Sequence, residues 1–566
     1  MKSKFLFTSF TILSFVSLSV LSVAQEQDVK ALIQQLGDDS YVVRQRAEAQ
    51  LLRMGVSIYA ELRAALNNSD AEIVRRAEQI IQQFNLVKQG DDDENVRIFK
   101  SEYPKEASRV KQARWIQILA SPDFTFGNPS GSGLQMLCRL LRSEKEHPLR
   151  AEAAKALIAS APHTESVREK WYQTLTEQQL EAEQDELCSL VFQFAQVRTA
   201  VNVLKKNTEK KYKEEARKNN TPLNYPVKLT PDAQLMKQVK EIAAAIGKFQ
   251  KAPENNTLIP GSWFDILVYY AIAELYEDLG LIQERDTAQK AAVAVRPKPI
   301  AEDLLAPVDP LDGRPFFNEH FFVARFLSER NRFRWVLDHC KIVLQDGSIA
   351  YRRDAFSMAA NSVQMLGDYE AAAEFLQQKI DLVKSDDYKR QYSDSDEQIR
   401  NNEARRFYCL AQQSADSGDW KKAAELIEEV LKRDPEEIDT LILRYEALKR
   451  LPELDANNKD SMKNLIEGAV RKVEQHMHSG MFASVVCNQA AWLLANTGGD
   501  YQTALDLISI TMKEEPESPV YLDTQAHVFA LGKEYKKAVE TQEEAVRLAP
   551  DAEVFRKALE KFRSLR

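Results

Sequence analysis

GGDYQTALDLISITMKEEP at 498–516 is answered by LGKEYKKAVETQEEAVRLAP at 531–550. Thirty-four residues separate Ala504 from Ala538, and the same number separates Pro516 from Pro550. A fixed period of this length marks a unit of two helices that cannot bury its apolar face alone, so copies stack and share one continuous core. The C-terminal half therefore reads as a helical array, which works by presenting a surface.

Working outward, the fullest unit is FYCLAQQSADSGDWKKAAELIEEVLKRDP at 407–435. Its Ala411 is a small residue on the first helix, Gly418 and Trp420 form a glycine-aromatic turn, Ala423 and Ile427 lie on the second helix, and Pro435 stops it. The unit at 522–550 supplies Ala526, Tyr535, Ala538, Ala545 and Pro550. The unit at 488–516 supplies Gly499, Tyr501, Ala504, Ile508 and Pro516, with bulky Trp492 at the place that Ala411 and Ala526 hold in the other two. Upstream the pattern weakens. At 356–384, Ala360, Gly367, Tyr369, Ala372 and Leu376 fit and no proline closes the unit; at 269–297, Ala273, Gly280, Ala292 and Pro297 fit, while Arg285 and Gln289 replace apolar residues. At 320–348, Ala324 and Phe333 remain and Val336 takes the alanine place.

These residues resemble the tetratricopeptide repeat over about 260–550, most closely in the last three units. The resemblance implies stacked helical hairpins whose first helices line a concave face that holds a protein or peptide. Modules of this family that clamp a C-terminal carboxylate present Lys and Asn from successive first helices. The matching places here are Tyr408 and Gln412, Gln489 and Leu493, Asp523 and His527, and they form no such clamp. Polar Ser385–Asn402 and an irregular stretch near 440–480 are insertions. DAEVFRKALEKFRSLR at 551–566 reads as a capping helix whose charged outer face keeps the open end soluble.

A shorter repeat precedes the array. VRQRAEAQLLRMG at 43–55 is echoed by VRRAEQIIQQF at 74–84, and Asp38-Asp39-Ser40 and Asn68-Ser69-Asp70 stand before the two helices as cap candidates. This stretch resembles HEAT-type repeats, a plain helical hairpin being the alternative. The expected organisation is all-α throughout: a signal segment at 1–24, HEAT-like repeats at 25–90, an acidic linker at 91–104 around Asp91–Glu94, a helical solenoid at 105–250, and the tetratricopeptide array with its cap at 251–566. Pro122, Gly127, Pro129, Gly131 and Gly133 mark a loop, and the stretch Arg296–Pro315 carries five prolines and cannot be a helix. Lys205–Asn220 is too polar for a core and reads as an extended helix surface or a mobile connection.

In the first 24 residues, Lys2 and Lys4 precede an uncharged run from Phe5 to Val23 that ends in small residues at Ser22-Val23-Ala24. This is the pattern of a cleaved secretory signal, with an uncleaved anchor as the alternative. No later stretch reads as a membrane span. The expected location is the periplasm, the envelope or the exterior. The five cysteines are widely spaced and odd in number, each in an apolar helical context, and are expected to be buried thiols, with one adventitious pair as the alternative. A net charge of −9 with interleaved signs offers no field for a phosphate backbone, so nucleic acid is not an expected partner.

Reactive chemistry is hard to find. His476 and His478 are two apart and cannot share a helical face, and Asp338-His339-Cys340 point in different directions on one helix. No phosphate loop, nucleophile elbow or zinc-protease motif is present, and no cofactor or metal is expected. The aromatic run Phe316, Phe317, Phe321, Phe322, Phe326, Phe333 and Trp335 lines either a peptide groove or the core between helices. The candidate protein-binding residues are Phe321, Arg325, Tyr408, Gln412, Gln489, Asp523 and His527. The expected function is an exported, non-enzymatic scaffold for a protein or peptide. A self-assembling envelope component and an envelope enzyme or peptidoglycan-processing factor are the alternatives.

Overall fold

The computed structural model describes, apart from short interruptions, residues 29–84, 103–119, 132–297, 319–451 and 483–565. All regular elements among these residues are helical. The signal segment at 1–24, the acidic run Asp91–Glu94, most of the proline-rich crossing, Phe316, Phe317, and the stretch holding His476 and His478 lie outside the described residues. The chain divides into two compact units, Met1–Lys105 with Ile118–Met136, and Glu106–Gln117 with Leu137–Arg566.

The first unit has a helix over residues 29–35, then α1 (Tyr41–Met54), α2 (Tyr59–Ala65) and α3 (Ala71–Phe84). The alanines of the two Arg-Ala-Glu triplets, Ala47 and Ala77, are fully buried in one apolar cluster with Leu36, Leu62 and Ile80. Arg76 reaches back from α3 to Glu48 on α1 and also bonds Glu72. Asp70 caps α3, its Oδ1 accepting the Glu72 amide at 2.8 Å. Gly37 is required where the chain passes this cap, because a Cβ there would lie 2.4 Å from Asp70 Oδ2 and 2.8 Å from Ile73 Cγ1.

The second unit takes in most of α4 (Arg109–Leu119) and α5 (Ser132–Ser143), then α6 (His147–Ala159), α7 (Glu165–Glu177), α8 (Glu186–Asn219) and α9 (Ala233–Lys251). The stretch from Lys205 onward continues α8 and is no mobile connection. By length and composition Glu186–Ala216 is apolar enough to cross a membrane, which corrects the expectation that no later stretch is. In this unit 61% of its apolar window is buried among other helices.

Six hairpins follow among the described residues: α10 (Trp263–Asp278) with α11 (Ile282–Ala294), α12 (Glu319–Glu329) with α13 (Phe333–Asp346), and α14 (Ile349–Met365) with α15 (Tyr369–Lys384). A short α16 (Asp386–Gln391) then leads to α17 (Asp396–Asp416) with α18 (Trp420–Leu431), and α19 (Ile438–Arg450) stands before the last pairs. Those are α20 (Ala483–Thr497) with α21 (Tyr501–Glu514) and α22 (Pro519–Leu531) with α23 (Tyr535–Leu548), closed by α24 (Glu553–Leu565).

One turn recurs in all six hairpins. Gly280, Asn331, Gly367, Gly418, Gly498 and Lys533 have φ between 58° and 85°. In each case the next residue donates its amide to the carbonyl five residues back, as Asp419 does to Ser414 at 2.9 Å and Glu534 to Phe529 at 2.8 Å. This left-handed closure satisfies the last carbonyls of the first helix and reverses the chain. Asp368, Asp419 and Asp500 then cap the second helix by accepting the amide three residues on.

Counting back seven from the left-handed residue finds the small residue of each first helix: Ala273, Ala324, Ala360, Ala411, Ala491 and Ala526. All are buried. The register read from Gly499 is thereby corrected. The left-handed residue is Gly498, Gly499 is one extra turn residue, and Ala491 rather than Trp492 takes the small place.

The insertion Ser385–Asn402 is largely helical, forming α16 and the first turns of α17. Tyr388 anchors it: fully buried, it donates its hydroxyl to Asp394 Oδ1 at 2.7 Å and accepts from Arg353 at 3.1 Å. The terminal helix α24 does not leave an open end. Phe333 belongs to the same apolar cluster as Phe555, Leu559 and Phe562, and Met365 and Leu366 pack against it. The array thus meets its own upstream turns.

Candidate interaction face on the first helices

Residues one period apart meet where the first helices of neighbouring units lie side by side. Trp492 on α20 and His527 on α22 pack edge to face at 4.6 Å, and His527 meets Phe562 of α24 in the same manner at 4.8 Å. Upstream, Tyr408 on α17 packs edge-on against Tyr369 at 6.4 Å. The Arg405 guanidinium lies 4.5 Å over the Tyr408 ring. Its Nη1 donates to Glu437 Oε1 at 2.8 Å and to Asp439 Oδ2 at 2.7 Å. Trp492 Nε1 donates to the other Asp439 oxygen at 3.0 Å.

A continuous row, Tyr408, Arg405, Asp439, Trp492 and His527, therefore crosses α17, α19, α20 and α22. Arg405, Asp439 and Trp492 are half-buried and keep one side toward solvent. The row offers a cation, an anion and an indole, each held in one orientation by the others. Such pre-set groups are what a protein surface needs to bind without a large ordering cost.

Of the candidate residues, Tyr408, Asp523 and His527 are buried within or beside this row. Gln542 Nε2 donates to Asp523 Oδ1 at 2.6 Å and to the Phe555 carbonyl at 3.1 Å. Burial pushes the Asp523 carboxyl up to about 7 and drives His527 down to about 3. Gln489 is exposed, and Gln412 is half-buried and donates to Asp416 at 2.7 Å. Phe321 and Arg325 lie on α12, apart from the row. Phe321 is buried against Tyr351 at 4.7 Å, and Arg325 Nε stands 3.8 Å from Glu329 on the same helix.

The aromatic run divides accordingly. Phe321, Phe326, Phe333 and Trp335 are core residues and Phe322 is half-buried, so among the described residues the run packs helices together instead of lining a groove. Arg405 and Asp439 were not among the sequence candidates, because neither position stands out before the two helices are placed. Trp492 was visible as a misfit and its role was not.

Asp338-His339-Cys340 diverge as their helical phase requires. Asp338 accepts from Gln289 at 2.7 Å, which explains one polar residue at an apolar place of the repeat. His339 bonds Tyr270 through Nε2 and His320 through Nδ1, both at 2.7 Å. Burial lowers the His320 pKa to about 4 and holds His339 well below its ordinary value, so both rings are neutral at pH 7. No three His, Cys, Asp or Glu side chains among the described residues are grouped to hold a metal ion. All five cysteines are buried.

Two buried ionic groups tie the helices before the array to its first units. Lys155 on α6 lies 2.9 Å from Glu152 and 2.8 Å from Asp265 on α10. Arg198 on α8 reaches Glu274 and Asp278 on α10, and Arg330 beyond α12 grips both Glu274 oxygens at 2.8 and 2.7 Å. Burial alone would raise the Glu274 pKa, but Arg330, Arg332 and Arg198 outweigh it and hold it at about 2.

Residues 266–299 match the family model of the tetratricopeptide repeat, a stretch that begins inside α10 and includes α11. This is a unit in which the sequence pattern had already weakened. No curated protein sequence matches the chain. Among solved structures, a thermophilic tetratricopeptide protein of Thermus thermophilus is similar over 38% of this chain and 98% of its own, at 16% identity and a TM-score of 0.24. The C-terminal part of a repeat-containing protein of Cytophaga hutchinsonii is similar over 58% and 97%, at 14% identity and 0.21. Yeast Tom70 is similar over 92% and 96%, at 11% identity and 0.26.

Proposed function

We propose that this chain, a tetratricopeptide-like helical repeat protein, is exported and serves as a non-enzymatic scaffold that holds another protein or peptide on the first-helix face of its C-terminal repeats. The row Arg405, Asp439 and Trp492 carries this reading, because it offers oriented charge and an indole on neighbouring helices. Exposed Gln489 and half-buried Gln412 supply adaptable polar contacts at its edge. Export rests on Lys2, Lys4, the uncharged run after them and the small residues ending at Ala24. An open head-to-tail assembly is the less favoured reading, since the terminal helix that would stack on a second copy is already taken up within the chain.

The test is affinity capture with the mature protein from its native envelope fraction, repeated with Trp492→Ala. Loss of an indole anchor should weaken a captured partner by at least about 30-fold, as hot-spot truncation does, while the helical circular dichroism stays unchanged. Turnover of a small substrate with no protein partner recovered would overturn the scaffold reading. N-terminal sequencing of the exported form should begin at Gln25.

A further inference from the structure

The seam between the end of the array and its own upstream turns is built from a small apolar contact ringed by long charged side chains. On the upstream side stand Phe333, Met365 and Leu366, at the turns that join α12 to α13 and α14 to α15. A Cβ added at Gly367 would lie 3.3 Å from Glu553 Cγ, so the first turn of α24 rests directly on the second of these turns. Around the apolar contact, Arg334 faces Asp551 at 3.7 Å and Lys557 faces Asp416 at 3.0 Å. Lys213 on α8 faces Glu544 on α23 at 3.4 Å, and Arg547 on α23 reaches Glu209 on α8 at 3.6 Å. Four oppositely charged pairs thus join α23, α24 and the turn between them to three separate upstream elements.

We propose that α23 and α24 form a reversible electrostatic latch: docked, they close the repeat array upon itself, and released, they open it and uncover the Phe333, Met365 and Leu366 edge. The physical basis is the division of labour in the seam. Within the C-terminal units, Phe555, Leu559 and Phe562 give α24 apolar contacts with α22 and α23 that do not pass through the seam. Across the seam, three of the four pairs have both partners partly open to water. Exposed pairs are individually weak and screened by salt, so a closure that depends on several of them is reversible. The fourth, Arg547 with Glu209, is buried and makes the closed state specific.

The experiment uses the full chain and zero-length carbodiimide coupling of Lys557 to Asp416, read by mass spectrometry of the monomer. The coupled peptide is expected at about 0.1 M salt and should fall several-fold by about 1 M, where the screening length shrinks from about 10 to about 3 Å. Arg334→Asp, a change at an exposed position outside the coupled pair, should lower the yield by up to about fivefold, the worth of one exposed ion pair. The charge-swapped double variant Arg334→Asp with Asp551→Arg should restore it, which an unfolded variant could not do. A yield indifferent to salt and to Arg334→Asp, or a coupled peptide found only in dimers, would overturn the latch.

Discussion

At the scale of single residues, backbone conformation and proton affinity make separate predictions. Gly418 sits at φ 85° with open space where a Cβ would go, so Gly418→Ala isolates the left-handed strain. It should cost about 1–2 kcal/mol. Lys533 adopts the same conformation at φ 60°. Lys533→Gly should stabilise the protein by about 0.5–1 kcal/mol, the relieved strain less the added freedom of the unfolded chain; thermal unfolding of both variants checks the pair. Burial gives His320 and Asp523 opposite pH dependences. His320 falls from 6.5 to about 4, so its stability contribution is complete above pH 6.5 and is lost as pH falls through 4. Asp523 rises from 3.8 to about 7, so its contribution is complete below pH 3.8 and is lost as pH rises through 7. Asp523→Asn removes the second dependence and keeps an acceptor for Gln542. The variant should gain on the order of 2–4 kcal/mol over the wild type between pH 4 and pH 8, measured by denaturant unfolding at each pH.

At the scale of helices, the register of each first helix follows from its turn. Ala491 is fully buried at the small place of α20, whereas Trp492 lies beside it, half-buried in the row. Ala491→Leu should therefore cost about 1–3 kcal/mol by overpacking, which chemical denaturation would register. A neutral result would restore the register counted from Gly499. The helices of the array were legible because the left-handed glycine, the capping aspartate and the buried alanine each solve a local problem, and local solutions are written in adjacent residues. Phe321 stayed open between groove and core for the complementary reason. An aromatic on an amphipathic helix looks the same whether it faces a groove or a neighbouring helix, and only the placement of Tyr351 decides.

At the scale of the second unit, the buried charges bind distant stretches of chain into one body. Glu274→Gln would leave Arg198 and Arg330 without their shared carboxylate in a dry interior. It should cost about 3–5 kcal/mol, the usual penalty for stranding a buried charge, and denaturant unfolding measures it. Nothing in the sequence near 198, 274 or 330 announced this network, since its members are spread along the chain and each alone looks like an ordinary surface charge. The fold class and the period of the repeats were determined by the sequence itself, because the turn residue, the aromatic after it and the buried alanine recur at fixed spacing within most hairpins. The row from Arg405 to Trp492 and the docking of α24 on upstream turns were decided only by the tertiary structure. They depend on small rotations summed over successive units, which bring together residues that no local pattern relates.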